Sequence, residues 1–252
     1  MWHDIKDNYT STWAFAIACP LLFLIPPLVE FAQHIVEINI GLYDSITAAR
    51  AMADNAQRMQ FGFAKTLALL LPTYWFTRYI LSGRDAAYAR KLAMPAIGLW
   101  LVLFAFNGAQ LWWELFGPPL TSLIGLSGEI GQWTGYGVAF AWGVIGIYFT
   151  AWAAAWPLGN SRIGPIRSAH IMAGNFWRTI VILIASVVPL MAAHYALGFA
   201  AMGRPLWLVW PIMAADAILV GFMALAMVGG GAVAARTAAS RKSISLLPAE
   251  PA

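Results

Sequence analysis

The sequence predicts an all-α membrane protein, a transmembrane bundle of six helices. Of its 252 residues 61% are hydrophobic, and only 15 basic and 11 acidic side chains are present, whereas an aqueous globule of this size carries a far larger charged fraction. Charge-free runs repeatedly reach the roughly 20 residues that a helix needs to cross a bilayer. These observations exclude a soluble enzyme and predict a single transmembrane domain over residues 1–235.

Five of the six helices follow from uncharged runs, which are residues 8–29, 92–113, 130–161, 179–203 and 217–235. The remaining helix lies around residues 61–81, where Lys65 and Arg78 are near the two ends. Their aliphatic stems are expected to extend so that the charges reach the head groups. The predicted spans are residues 12–32, 60–81, 93–116, 132–156, 177–200 and 206–232.

The distribution of basic residues predicts the orientation of the bundle. If the N-terminus is cytoplasmic, the inner segments carry eleven Lys and Arg residues and the outer segments four. Cytoplasmic segments keep such an excess, so we expect both termini inside, in a cell membrane and most simply a bacterial inner membrane. No segment clusters more than two basic residues beside exposed aromatic ones, so nucleic acid is not an expected partner.

Two segments outside the spans have a predicted structure. In residues 33–58 apolar side chains recur at helical spacing beside charged ones, which predicts a helical elbow on the outer surface. Residues 236–252 are small and polar and end in prolines, a composition typical of a disordered cytoplasmic tail.

The inner connection, residues 164–175, is predicted to form a short interfacial helix. Pro165 is suited to the first turn of a helix and Gly174 to its end. Ile166, Ala169 and Met172 are expected to share one face of it. Three basic residues flank this helix and are expected to contact anionic lipid head groups: Arg162, Arg167 and Arg178.

This inner segment resembles a known family. An aromatic span ending in Trp-Pro precedes a Gly-Pro-Ile-Arg-Ser-Ala helix, and Gly-Asn-Phe-Trp-Arg opens the next span. This order is similar to the six-helix membrane-domain family that includes the membrane domain of some glycerophosphodiester phosphodiesterases and small inner-membrane proteins of unassigned function. The resemblance implies architecture and proximity to lipid, and it brings no catalytic motif. The matching positions are Trp156, Pro157, Gly164, Pro165, Arg167, Ser168, Gly174, Asn175, Trp177 and Arg178.

Glu30, His34 and Glu37 form the first candidate site. They recur at i, i+4 and i+7, which places them on one face of a helix just beyond the expected break at Pro26 and Pro27. Carboxylate and imidazole side chains at this spacing suit zinc or iron. The alternative interpretation is a polar helix face turned to water.

Asp216 is the second candidate, because a carboxylate within the sixth predicted span is costly unless it has a partner. Asn107, Tyr195 and His194 are at comparable depth. The carboxylate could join helices through a polar contact or serve a proton or a solute. Together with the ionisable groups expected in the outer half of the membrane, Asp216 forms a predicted polar cluster: Glu30, His34, Glu37, Lys65, Glu114, His194 and Asp216. The expected ligand of this cluster is a cation, a lipid head group or the polar terminus of a partner. The sequence leaves open whether a metal or a cofactor binds.

Small residues predict where helices approach one another closely, within this chain, in a homo-oligomer or with a second membrane protein. They are Gly135, Gly137, Ala141, Gly143 and Gly146 in the fourth predicted span and Gly229 to Gly231 in the last. The single cysteine, Cys19, cannot form a disulfide within the chain.

No nucleotide-binding, thiol-redox, zinc-protease or serine-hydrolase motif is found in the sequence. We therefore expect a non-enzymatic accessory or scaffold protein for a lipid-related or envelope-related process. Two alternatives remain open. One is a small-solute or proton-coupled transporter that uses Asp216. The other is a membrane metal or haem protein that uses Glu30, His34, Glu37 and His194.

Overall fold

The computed structural model describes residues 1–248, which contain α-helices, a short 3-10 helix and no strand. The all-helical class is therefore confirmed. The 3-10 helix, Trp156–Leu158, directly continues the ninth α-helix. In chain order the α-helices are α1 Trp2–Ala18, α2 Pro20–Asn39, α3 Ile46–Ala51, α4 Ala56–Leu70, α5 Thr73–Leu81, α6 Ala86–Arg90, α7 Met94–Phe116, α8 Leu120–Leu123, α9 Gly128–Ala155, α10 Pro165–Met172, α11 Phe176–Ala201 and α12 Leu206–Ser240.

Five helical segments of residues 1–248 are long and apolar enough to cross a membrane: α2, α7, α9 with its 3-10 extension, α11 and α12. Each has at least the roughly 20 residues that match the thickness of a bilayer core. The chain is thus a multi-pass membrane protein by the length and composition of its helices.

Two predicted spans are divided. The chain leaves helical geometry at Cys19 (φ −134°, ψ 57°), so residues 12–32 are shared between α1 and α2. Residues 60–81 are shared between α4 and α5, which meet at Leu71 and Pro72. The break expected at Pro26 and Pro27 is absent, since α2 continues through both prolines. Membrane helices tolerate proline where neighbouring groups satisfy the freed backbone.

The chain divides into two compact units, and the single transmembrane domain over residues 1–235 stays a prediction. Unit 1 comprises residues 1–91 and 181–233, and unit 2 comprises residues 92–180 with the chain from residue 234 onward. The boundaries after residues 180 and 233 fall within α11 and α12.

Unit 1 is held together by polar contacts and by glycine. Asn8 is fully buried, and its Nδ2 donates to Ser186 Oγ and to the Ala226 carbonyl, both at 2.8 Å. A Cβ atom on Gly230 would lie 2.7 Å from Ser186 Oγ. Close helix approach therefore occurs at the glycines of α12, where small residues predict it.

The predicted outer elbow, residues 33–58, is a separate segment only in part. Its first residues complete α2, and α3 is a helix of six residues. Leu42 and Tyr43 are buried against Ala201, Val209 and Met213. This part of the chain belongs to the core of unit 1, because its apolar side chains bury more area there than on a surface.

Unit 2 includes α10, which begins after Gly164 and ends before Gly174 (φ 81°). The expected single apolar face is wrong: Ile166 is 90% exposed, whereas Met172 is fully buried. The buried Ser168 Oγ donates to the Tyr148 carbonyl at 2.7 Å and accepts from Trp152 N at 2.9 Å. These contacts turn the Met172 side of α10 toward α9 and leave Ile166 outside.

The predicted disordered tail is also revised. Residues 236–240 continue α12, because their alanines are small enough to pack; Ala238 and Ala239 are buried. Beyond the helix, Asn160 Nδ2 donates to the carbonyls of Leu246 and Leu247 at 3.1 and 3.2 Å. The remainder of the predicted tail, residues 249–252, lies outside the described residues.

Candidate functional site

One face of α2 contributes three ionisable groups to the interior of unit 1. Glu30, His34 and Glu37 are each at most 4% exposed. Because a helix turns once in 3.6 residues, positions i, i+4 and i+7 point the same way. Gln33 joins this face, and its Nε2 donates to Glu37 Oε1 at 2.8 Å. The predicted common face is thus present, but it is turned away from water.

Two imidazole rings contact the carboxylate of Asp216 in α12. His34 Nε2 lies 3.0 Å from Asp216 Oδ2, and His194 Nδ1 of α11 lies 2.8 Å from Asp216 Oδ1. Asp216 is 1% exposed, and the His194 side chain is 22% exposed. Three helices therefore meet at one carboxylate. His194 is the contacting residue whose side chain reaches the surface of the unit.

Two basic side chains neutralise carboxylates of α2. Lys65 Nζ of α4 lies 3.0 Å from Glu30 Oε2, and Arg58 Nε donates to Glu37 Oε1 at 3.1 Å. The expectation that Lys65 extends to the head groups stays a prediction, and its ammonium group is paired with a buried carboxylate. The same expectation is wrong for Arg78, which is 1% exposed and places its guanidinium 4.2 Å from the centre of the Tyr88 ring.

Tyr43, in the turn after α2, closes one end of the cluster. Its hydroxyl donates to Glu37 Oε2 at 2.8 Å and lies 2.9 Å from His34 Nδ1. Burial, together with the negative charge of Glu37, raises the pKa of the Tyr43 phenol above its ordinary value. The hydroxyl therefore stays protonated and acts as a fixed hydrogen-bond donor to the carboxylate.

These groups line a cavity of about 180 Å³ in unit 1. Three carboxylates, two basic groups and two imidazoles face it. The cavity lining is Glu30, Gln33, His34, Glu37, Leu42, Tyr43, Arg58, Lys65, His194, Tyr195, Gly198, Phe199, Met202 and Asp216.

The structure brings six of the seven residues of the predicted polar cluster to this cavity: Glu30, His34, Glu37, Lys65, His194 and Asp216. Glu114 belongs to unit 2, where it accepts from Gln110 Nε2 at 2.8 Å. Of the partners named for Asp216, His194 contacts it and Tyr195 lines the cavity. Asn107 belongs to unit 2 and donates to the Leu103 carbonyl.

Three polar residues of the cavity were not predicted from the sequence: Gln33, Tyr43 and Arg58. Gln33 had a usable signal, since it lies three residues after Glu30 on the same helix face. Arg58 is one of the four basic residues of the outer segments, which indicate only the orientation of the bundle. Tyr43 lies in a turn, where no periodicity indicates the direction of a side chain.

Within this cavity Glu30, His194 and Asp216 each offer a ligand atom, and these atoms lie within 4.8 Å of one another. The set shares Glu30 and His194 with the expected residues Glu30, His34, Glu37 and His194. It differs from them by including Asp216, so that it joins three helices. His34 contacts the set from outside, 3.4 Å from Glu30 Oε1 and 3.0 Å from Asp216 Oδ2.

The predicted lipid-contacting residues lie in unit 2. Arg162 and Arg167 line a second cavity, of about 260 Å³, together with Ser243 and Ser245. Arg178 is half-buried in the first turn of α11.

Comparisons of the chain with protein-family models, with curated proteins and with solved structures find no match. The resemblance of the inner segment to the membrane-domain family therefore stays a prediction, and function has to be argued from the cavity itself.

Proposed function

We propose that the chain is a membrane transporter for a small cation, which binds in the cavity of unit 1. The observation that carries the proposal is a cavity lined by three buried carboxylates, Glu30, Glu37 and Asp216, in apolar helices of membrane length. Buried carboxylates in a low-dielectric interior are costly, and a bound cation lowers that cost. Ionisable residues within membrane helices commonly belong to such a pathway.

The size of the cavity supports a small ligand. Its 180 Å³ corresponds to about six water molecules at roughly 30 Å³ each. Drug-sized ligands occupy pockets of roughly 300–1,000 Å³. An ion with part of its hydration shell fits these dimensions, whereas an organic cofactor such as haem does not.

Prolines lie about one turn before the cavity residues in three helices. Pro26 precedes Glu30, Pro189 precedes His194 and Pro211 precedes Asp216. Proline cannot donate to the carbonyl four residues earlier, which weakens a helix locally. At Pro189 that carbonyl belongs to Ala185, and it accepts from Tyr9 OH at 2.7 Å instead. The three helices continue through their prolines, and the missing hydrogen bonds leave the backbone near the cavity less tightly held.

The accessory or scaffold role expected from the sequence stays a prediction. Such a role requires helix surfaces for a partner but no cavity lined by buried carboxylates, and the cavity therefore favours transport. We also propose that six crossings, with both termini cytoplasmic in a bacterial inner membrane, describe the topology. We also propose that three arginines contact anionic lipid: Arg162, Arg167 and Arg178. This proposal is supported by the positive charge of Arg162 and Arg167, which line the second cavity.

Transport can be tested with the purified full-length protein in vesicles. Uptake of Na⁺, K⁺, NH₄⁺, Mg²⁺ and Zn²⁺ is measured by atomic emission or ion-sensitive dyes, and proton movement by an enclosed pH dye. We expect wild-type protein to accelerate the flux of at least one cation. Asp216→Asn should lower that flux at least about tenfold, because one charge of the three is lost where solvent cannot replace it.

Asp44→Asn is the matched control, since Asp44 is an exposed carboxylate of unit 1 outside the cavity. Its flux should equal that of the wild type. Wild-type vesicles that transport no faster than empty ones, for every cation and for protons, would refute the proposed function. An equal loss of flux in both variants would show that the transport site lies outside the cavity.

A further inference from the structure

We infer that the preferred cation is a divalent transition metal of the zinc class, bound by Glu30, His194 and Asp216. The inference rests on the proposed function, because it names the ion for the same cavity. Its ligands come from α2, α11 and α12, so the bound ion would join three helices of unit 1.

The spacing of the ligand atoms fits one ion. Zinc binds nitrogen and carboxylate oxygen at about 2.0–2.2 Å, so two ligand atoms on opposite sides of the ion are at most about 4.4 Å apart. The three atoms already lie within 4.8 Å of one another. Side-chain shifts of a few tenths of an ångström would therefore bring all three atoms within bonding distance of one ion.

The chemistry of the ligand set selects the class of metal. One imidazole with two carboxylates is of intermediate softness, which suits zinc, iron or manganese. Mg²⁺ prefers oxygen ligands and keeps its waters, so His194 counts against it. Thiolate ligands for Cu⁺ are lacking, since the one cysteine, Cys19, is outside the cavity lining.

Two neighbours hold the carboxylate ligands in place. His34 Nε2 lies between Asp216 Oδ2 at 3.0 Å and Glu30 Oε1 at 3.4 Å. Lys65 Nζ contacts both oxygens of Glu30, at 3.2 and 3.0 Å. Hydrogen-bonded partners of this kind orient metal ligands and tune their affinity. His34 and Lys65 are thus positioning residues rather than ligands.

Gln33 supplies a separate indication of a bound group. Its side chain lines the same cavity and is 4% exposed, and its Oε1 has no hydrogen-bond donor among the described residues. Its Nε2 is engaged with Glu37, which fixes the amide orientation. Buried polar atoms are nearly always satisfied. A water bound to the metal ion would donate to Gln33 Oε1 and complete the site.

The experiment uses full-length protein in detergent, stripped with a chelator and then equilibrated with ZnCl₂ or MgCl₂. Bound metal is measured by mass spectrometry, and affinity by competition with a chromophoric chelator. We expect one Zn²⁺ and no Mg²⁺ per chain. Glu30→Gln and His194→Ala should each lower zinc affinity at least about tenfold, and Asp44→Asn should not change it.

Thermal unfolding of the same samples keeps the test independent of folding defects. Zinc should raise the melting temperature of the wild type and of Asp44→Asn, since binding to the folded state stabilises it. It should not raise that of Glu30→Gln or His194→Ala. Failure of the wild type to bind Zn²⁺ overturns the inference, as does full zinc binding by both ligand variants.

The outcome separates the inference from the proposed function. If Asp216-dependent flux of Na⁺, K⁺, NH₄⁺ or protons occurs without zinc binding, the metal assignment fails and the transporter stands. If zinc binds at the three ligands and no cation crosses the vesicles, the transporter fails and the metal site stands.

Discussion

Asp216 is stabilised in an apolar helix by side chains from two other helices. His34 and His194 both contact it, and His34 also contacts Glu37 at 3.1 Å. A change to any one of these residues alters the hydrogen bonds of the next. Mutational effects within the cluster should therefore be non-additive, and single substitutions do not divide its energy among residues.

Tyr43 gives the cluster a measurable pH dependence. Replacing Tyr43 by Phe removes the donor to Glu37, and at neutral pH this should cost about 1–3 kcal/mol of unfolding free energy. In the wild type, burial and then the charge of Glu37 raise the pKa of the phenol above its ordinary 10.0. As the pH rises above 10.0 the unfolded phenol ionises while the folded one cannot, so wild-type stability falls with pH.

The Tyr43→Phe variant lacks this titration. The difference in unfolding free energy between wild type and variant should therefore be full below pH 10.0 and should shrink above it. Denaturant titrations in mixed micelles measure both proteins under the same conditions, in which all other tyrosines contribute equally. A difference that stays constant or grows above this pH contradicts the assignment of Tyr43 as a buried donor.

At the scale of elements, the approach of α12 to its neighbours depends on glycine. A Cβ on Gly229 would lie 2.8 Å from Phe76 Cε1, and one on Gly221 would lie 2.6 Å from Pro27 Cγ. We expect Gly221→Ala and Gly229→Ala each to destabilise the protein by about 1–3 kcal/mol, because the added methyl group overpacks the contact. Thermal or denaturant unfolding in detergent measures the change.

Gly137 of α9 is the matched control. An added Cβ there meets no atom within 4 Å, and alanine favours a helix by up to about 1 kcal/mol over glycine. Gly137→Ala should therefore be neutral or slightly stabilising. Destabilisation of all three variants by the same amount would show that glycine flexibility, rather than close packing, is what matters.

Helices were predictable from the sequence where one strong signal decides them. Uncharged runs of bilayer length located the long helices, and helical spacing grouped Glu30, His34 and Glu37. The sequence could not place the division at Cys19 rather than at Pro26 and Pro27, because Pro20 and these two prolines are equally good local signals for a break. Only packing keeps α2 continuous through Pro26 and Pro27. Membership of the cavity needed tertiary information: Glu114 has the same expected depth as His194, yet it belongs to the other unit.

For the whole molecule, the number of membrane crossings decides on which side the C-terminus lies. Five helical segments qualify individually, and the open question is whether α4 and α5 together form another crossing. With 15 and 9 residues they are each too short, but together they extend about 36 Å at 1.5 Å per residue. This exceeds the roughly 30 Å of the hydrocarbon core. The contact of Lys65 with Glu30 also lowers the cost of placing a lysine at depth.

We therefore expect six crossings, and single-cysteine labelling can test this in a Cys19→Ser background. With six crossings and a cytoplasmic N-terminus, cysteines replacing the exposed Ser45 and Ser122 should react with a thiol reagent that cannot cross the membrane. Cysteines replacing the exposed Ser161 and Ser240 should react only after permeabilisation. If α4 and α5 do not cross, every later segment changes side. The cysteine at position 122 would then be protected and those at 161 and 240 labelled, while the one at position 45 would be labelled in both cases and serves as the internal control.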